Sequence, residues 1–144
     1  MKGNPLLFLI LLFVSVAVKG QAGLTESLQV VVEFTENKQN LEAIRLCDKL
    51  IATYPDNADL YFLRGINHYV IRDHENAVKD FDKTVMLDPN YPDVYLYRAK
   101  AKKAGKDYMG AFRDYSKAKD KDFPQTLTSL AGDLIQSMFS GGDN

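Results

Sequence analysis

Apolar residues along this chain fall in helical stripes separated by polar turns. Between residues 58 and 91 (ADLYFLRGINHYVIRDHENAVKDFDKTVMLDPNY), Tyr61, Gly65 and His68 lie at i, i+4, i+7, and Ala77, Phe81 and Thr84 repeat that spacing. One stripe per segment predicts two antiparallel helices, near 58–71 and 74–87. Asp73 stands where the second helix needs an N-cap, and Pro89 follows Met86-Leu87, where that helix should stop. Shifted by 34 residues, the pattern recurs. Downstream, Tyr95, Ala99, Ala111, Tyr115 and Ala118 replace Tyr61, Gly65, Ala77, Phe81 and Thr84; upstream, Ala43, Cys47, Leu50 and Pro55 replace Ala77, Phe81, Thr84 and Pro89. Further helices are expected near 25–36, from Leu41 to Thr53, and near 92–104 and 107–120. A fixed period means that the chain repeats one supersecondary unit.

Local signals refine this reading. Val30-Val31-Val32 is β-branched and locally strand-like, so only the period argues for helix there. Asn37 is a candidate for a left-handed turn, Gly105 for the C′ position of its helix, and Pro92 for a first-turn position where a missing N–H is harmless. Gly65 costs about 1 kcal/mol against Ala inside a helix, which predicts close approach of a neighbouring helix. Arg64 and Asp80 recur as Arg98 and Asp114, which suggests a repeated ion pair between the helices of each unit. Beyond Pro124, Leu127, Leu130, Ala131, Leu134 and Met138 recur at helical spacing until Gly141-Gly142, a further helix suited to cover the last apolar face.

The pattern resembles the tetratricopeptide repeat, a 34-residue helix-turn-helix with an aromatic, a small residue four on, then Ala, an aromatic and Pro. The resemblance is closest in 58–91, good in 92–125 and weaker in 24–57, where Ser27 and Val31 stand for the first aromatic and the small residue. It implies an all-α, right-handed superhelical stack of antiparallel helix pairs with a C-terminal capping helix. The expected organisation is a leader over 1–22, three repeats within 23–125 (24–57, 58–91 and 92–125), the capping helix over 126–140 and a disordered tail over 141–144.

The leader reading rests on Lys2, the apolar run from Leu6 to Val18, and the small residues Gly20, Ala22 and Gly23. As a helix the run spans about 20 Å, short of the ~30 Å hydrocarbon core, so a secretory signal peptide is expected and no stable membrane insertion after its removal. The protein should then be periplasmic or extracellular, with a luminal compartment as the lesser alternative. Net charge is −1, and without Lys2 and Lys19 the 18 basic residues fall to 16 against 19 acidic ones, so charge does not point to nucleic acid. Cys47 is the single cysteine. It excludes an intramolecular disulfide and reads as a small buried apolar residue in the register of Phe81 and Tyr115.

No catalytic constellation is expected, and neither a metal site nor a cofactor. His68 reads as a packed residue and His74 as a solvated one; there is no G-x-S-x-G elbow and no Gly-rich phosphate loop. Asp80 and Asp82 read as surface carboxylates. The informative feature is a second stripe on the first helix of each unit: Phe62, Ile66 and Tyr69, with Leu28, Val32 and Thr35 before it and Leu96, Lys100 and Lys103 after it. In tetratricopeptide proteins these positions line a concave groove, so the resemblance implies a polypeptide partner held by Val32, Phe62, Ile66, Tyr69, Leu96, Lys100 and Lys103. Val32, Phe62 and Ile66 replace the Lys and Asn of the carboxylate clamps known in the family. A glycan or small-molecule site using Tyr69, Tyr95 and Tyr97 is the alternative, and self-association through the C-terminal helix a further one.

Overall fold

The computed structural model describes residues 23–118 together with Gly132. The expected leader, the capping helix and the tail lie outside the described residues, apart from Gly132, which is helical. Among the described residues there are six helices and no strand: α1 (23–36), α2 (Asn40–Thr53), α3 (Ala58–Val70), α4 (His74–Leu87), α5 (Val94–Ala104) and α6 (Tyr108–Lys117). None is long and apolar enough to cross a membrane.

Each hairpin turn is closed in the same way. At the end of α3 the amide of Asp73 donates to the carbonyl of His68, and that of Arg72 to Tyr69; the equivalent bonds run from Gln39 and Lys38 after α1 and from Asp107 and Lys106 after α5. This paired pattern ends a helix by placing one residue in the left-handed region. That residue is Lys38 (φ 61°), Arg72 (φ 65°) or Lys106 (φ 67°). The expectation for Asn37 and Gly105 is thus corrected by one position, because closing the ring requires the residue after Gly105, which itself has φ −80°. The next residue caps the following helix. Asp73 accepts from the Asn76 amide and Asp107 from that of Gly110, whereas Gln39 makes no side-chain cap bond.

The start of α5 also differs from expectation. Pro92 lies before the helix, and Asp93, at φ 57°, is the N-cap without a side-chain bond.

Among the described residues, three apolar clusters run along the stack. Val31, Ala43 and Cys47 form the first, joined by Leu63 from α3; Ala77, Phe81, Val94 and Ala101 form the second, between repeats two and three; Ala99, Ala111 and Tyr115 form the third. Small residues at the helix crossings permit the close packing. A Cβ on Gly65 would lie 2.8 Å from Phe81 Cε1, which accounts for glycine inside α3.

Polar ties repeat with the same period. The Tyr61 hydroxyl donates to the carbonyl of Pro55 and that of Tyr95 to Pro89, so the first aromatic of repeats two and three fastens the preceding linker. Arg64 donates from Nε and Nη2 to both oxygens of Asp80, at 2.9 and 2.6 Å, and from Nη1 to Asp48 of the preceding repeat at 2.6 Å. Arg98 does the same with Asp114 (2.8 and 2.5 Å) and Asp82 (2.8 Å), and Lys102 adds a bond to Asp114 at 2.7 Å. Asp80 is buried rather than on the surface, because the bidentate guanidinium compensates its desolvation. Each arginine therefore joins its own repeat to the one before. In repeat one the equivalent positions hold Val30 and Leu46, and the ladder ends there.

Candidate functional site

The ends of α3, α5 and α6 converge on an open pocket of about 490 Å³ lined by Tyr69, Lys100, Lys103, Ala104, Tyr108 and Tyr115. The hairpin geometry puts it there. Lys100 and Lys103 are three apart and share a side of α5, while the short turn between α5 and α6 brings Tyr108 alongside. Tyr115 is 4% exposed and packed against Ala99 and Ala111, so its ring is held in place. Tyr69 is half-buried, with its ring centroid 5.8 Å from that of His74.

Three of the residues expected to line a groove, Tyr69, Lys100 and Lys103, are thus brought together. The other four lie elsewhere. Phe62 and Ile66 are half-buried against the second apolar cluster, and the Phe62 ring is 5.8 Å from Phe81, 4.7 Å from Tyr91 and 5.4 Å from Tyr97. Rings of its own repeat and Tyr97 of the third repeat therefore cover Phe62. Leu96 packs on Ala99, Ala111 and Tyr115, and Val32 is half-buried on α1. Of the three tyrosines considered for glycan stacking, only Tyr69 reaches the pocket. The Tyr95 ring lies beneath Arg98 and Lys117, and Tyr97 lies between Phe62 and Lys100.

The charges on α5 divide into two groups. Arg98 and Lys102 point to carboxylates, and their hydrogen bonds outweigh burial to hold Asp114 below the usual carboxylate range. Lys100 has no carboxylate partner among the described residues; its ammonium sits 5.2 Å from the centroid of the Tyr97 ring. None of the six pocket residues is acidic. The result is a cationic rim around aromatic walls.

Three further features differ from or add to the sequence reading. His74 is half-buried rather than solvated, because the first turn of α4 meets the end of α5, where a Cβ on Gly105 would lie 3.8 Å from His74 Cβ. Asn67 was not singled out by the sequence. It is fully buried and donates to Thr35 Oγ1 at 2.9 Å and to the Leu63 carbonyl at 2.8 Å, a polar tie between repeats one and two. Burial pushes the Cys47 thiol up to about 12, as expected of an inert core residue. Among the described residues no three His, Cys, Asp or Glu side chains are grouped to hold a metal.

Comparison with solved structures decides the fold. The first tetratricopeptide domain of Spaghetti (RPAP3), bound to an HSP90 peptide, superposes with a TM-score of 0.71 at 19% identity, covering 76% of this chain and 90% of that one. This is a tetratricopeptide-repeat fold. The Sgt2 tetratricopeptide domain of Aspergillus fumigatus gives 0.71 at 17% identity, covering 83% of each chain. PcrH, in complex with the chaperone-binding region of PopD, gives 0.66 at 15% identity, covering 85% of this chain and 96% of that one. No protein-family model matches the sequence and no curated protein matches it. At these identities, the shared property is the tetratricopeptide fold.

Proposed function

We propose that this chain is an exported, non-enzymatic interaction module that binds a segment of another polypeptide, as an adaptor, scaffold or assembly factor. The observation that carries the reading is the pocket where Tyr69, Lys100 and Lys103 converge with Tyr108 and Tyr115. Ordered rings and a cationic rim are features of peptide-recognition surfaces, where a few buried aromatic and charged anchors supply most of the affinity. The solved structures with a bound HSP90 peptide and with the PopD segment support it, since they hold polypeptides on a similar helical stack. Export is supported by Lys2 and the apolar run from Leu6 to Val18.

The test is affinity capture from the native exported fraction, with the parent chain beside a Lys100→Glu, Lys103→Glu variant. Both lysines lie at the rim, so the variant should keep its helical circular dichroism. Phe62→Ala is unsuitable because that ring belongs to the packing between repeats. Retention of one polypeptide by the parent and its loss by the folded variant is the expected result; equal retention refutes this site, and retention by neither refutes the module. The intact mass of the mature protein tests export, which requires the loss of residues 1–20 or 1–22.

A further inference from the structure

Within this binding module, we propose that the α3–α5–α6 pocket recognises an acidic side chain presented next to an aromatic one in the bound segment. Lys100, with Lys103 one turn on, would take the carboxylate, and the walls formed by Tyr69, Tyr108 and Tyr115 would take the ring. The proposal rests on the reading of the chain as a polypeptide-binding module and names the chemistry that reading leaves open.

Charge accounting along α5 supports the acidic half. Its four cations, Arg98, Lys100, Lys102 and Lys103, belong to one helix of eleven residues. Arg98 and Lys102 are committed to Asp82 and Asp114 at 2.5–2.8 Å and hold the repeats together. Lys100 is turned the other way, onto the Tyr97 ring and into the pocket, with no carboxylate among the described residues to neutralise it. The pocket wall itself carries no acid that would repel an incoming anion.

The aromatic half follows from order and shape. Tyr115 is fixed by burial and Tyr69 by its contact with His74, so two of the three rings are in place before a ligand arrives. A flat side chain can settle against them with little further loss of side-chain freedom. A volume of about 490 Å³ lies within the range of small-ligand pockets, larger than a lone carboxylate needs and sufficient for an acid with its neighbouring ring. The equivalent residues one repeat earlier are Ile66 and Tyr69, so the cationic character belongs to repeat three alone.

The experiment is selection of random peptides displayed on phage against the immobilised full chain. Lys100→Gln, Lys100→Glu and Tyr108→Ala variants are run in parallel, each checked for native circular dichroism. Selected sequences are then made as amidated and free-acid peptides, each with its Glu→Gln or Asp→Asn and its aromatic→Ala counterpart. The expected result is enrichment of an acidic residue beside an aromatic one. Neutralising the acid should lower affinity at least tenfold on the parent chain and have little effect on Lys100→Gln. Equal binding of amidated and free-acid forms identifies the side chain as the carboxylate read; dependence on the free acid overturns that assignment. Enrichment without an acidic preference, or a preference unchanged in Lys100→Glu, overturns the pocket chemistry but leaves the binding module standing. No enrichment on any form of the chain overturns both.

Discussion

Replacing Asp80 by Ala should cost about 3 kcal/mol of folding free energy, several times the cost of Asp82→Ala, although both carboxylates meet an arginine at under 3 Å. The difference lies in burial and valence. Asp80 is 7% exposed and accepts two bonds from Arg64, whereas Asp82 is 55% exposed and accepts one from Arg98. Hydrogen bonds to charged groups contribute about 1.5–3 kcal/mol each, and breaking a buried pair costs about 3–5 kcal/mol. The lower end applies here, because Arg64 keeps its Asp48 contact and is 21% exposed. The exposed Asp82 contact is worth at most about 1 kcal/mol. Repeat one supplies the control, since Val30 and Leu46 occupy the positions of Arg64 and Asp80. An Arg64→Val, Asp80→Leu double variant should recover most of the loss, as apolar replacement of a buried pair often does. Urea unfolding followed by circular dichroism at 222 nm measures all three. With a slope of about 1.5 kcal/mol/M, Asp80→Ala moves the midpoint by about 2 M and Asp82→Ala by less than about 0.7 M. Equal shifts for the two single variants, or a double variant no better than Asp80→Ala, would refute the reasoning.

Gly65→Ala gains about 1 kcal/mol of helix propensity yet should destabilise by about 1–2 kcal/mol net, because the new methyl meets the fully buried Phe81 ring; a raised urea midpoint would contradict the close-packing argument. Cys47, fully buried with its thiol pushed up to about 12, should resist a thiol reagent at pH 8 until the chain unfolds and then react with one equivalent. Rapid reaction of the folded protein would place the thiol outside the core. Gln39→Ser gives α2 the capping bond that Asp73 and Asp107 give α4 and α6, and sets a serine three residues before Glu42. The substitution should stabilise by about 1 kcal/mol in thermal or urea melts, and no gain would mean that α2 does not limit stability.

The helices and their pairing were legible because burial leaves a period in sequence. Gly65, Phe81, Ala99, Ala111 and Tyr115 are small or large where two helices cross, and each recurs or alternates with its counterpart 34 residues away. The ion pairs were legible for the same reason, but not their depth. Asp80 is chemically identical to a surface aspartate, and only the guanidinium laid against it and the helix behind it make it a buried group. The third member of each ladder, Asp48 or Asp82, also recurs at the period, a signal that could have found it. Asn67 left no comparable trace. Its counterpart is Ala101, so nothing in the register announces a buried amide bonded to Thr35.

The site was harder to read because two different surfaces leave the same stripe. A first helix in such a stack turns one side to its own partner, one to the next repeat and one to the groove, and from a single helix the last two are indistinguishable. Phe62 and Ile66 occupy the stripe yet pack against the second apolar cluster, to which Val94 and Ala101 of the next repeat belong, and Tyr97 lies against the Phe62 ring. Tyr108 and Tyr115 lie on a second helix, outside any stripe expected to face a ligand, yet they form pocket walls. What separates the two uses is departure from the period. Where the repeats agree, in Tyr61 and Tyr95, Arg64 and Arg98, or Asp80 and Asp114, the residues hold the stack together. Where they differ, in Ile66 against Lys100 and Tyr69 against Lys103, repeat three carries charge that repeat two lacks. Fold thus resides in what the repeats share, and the charge of the candidate site resides in what repeat three has changed.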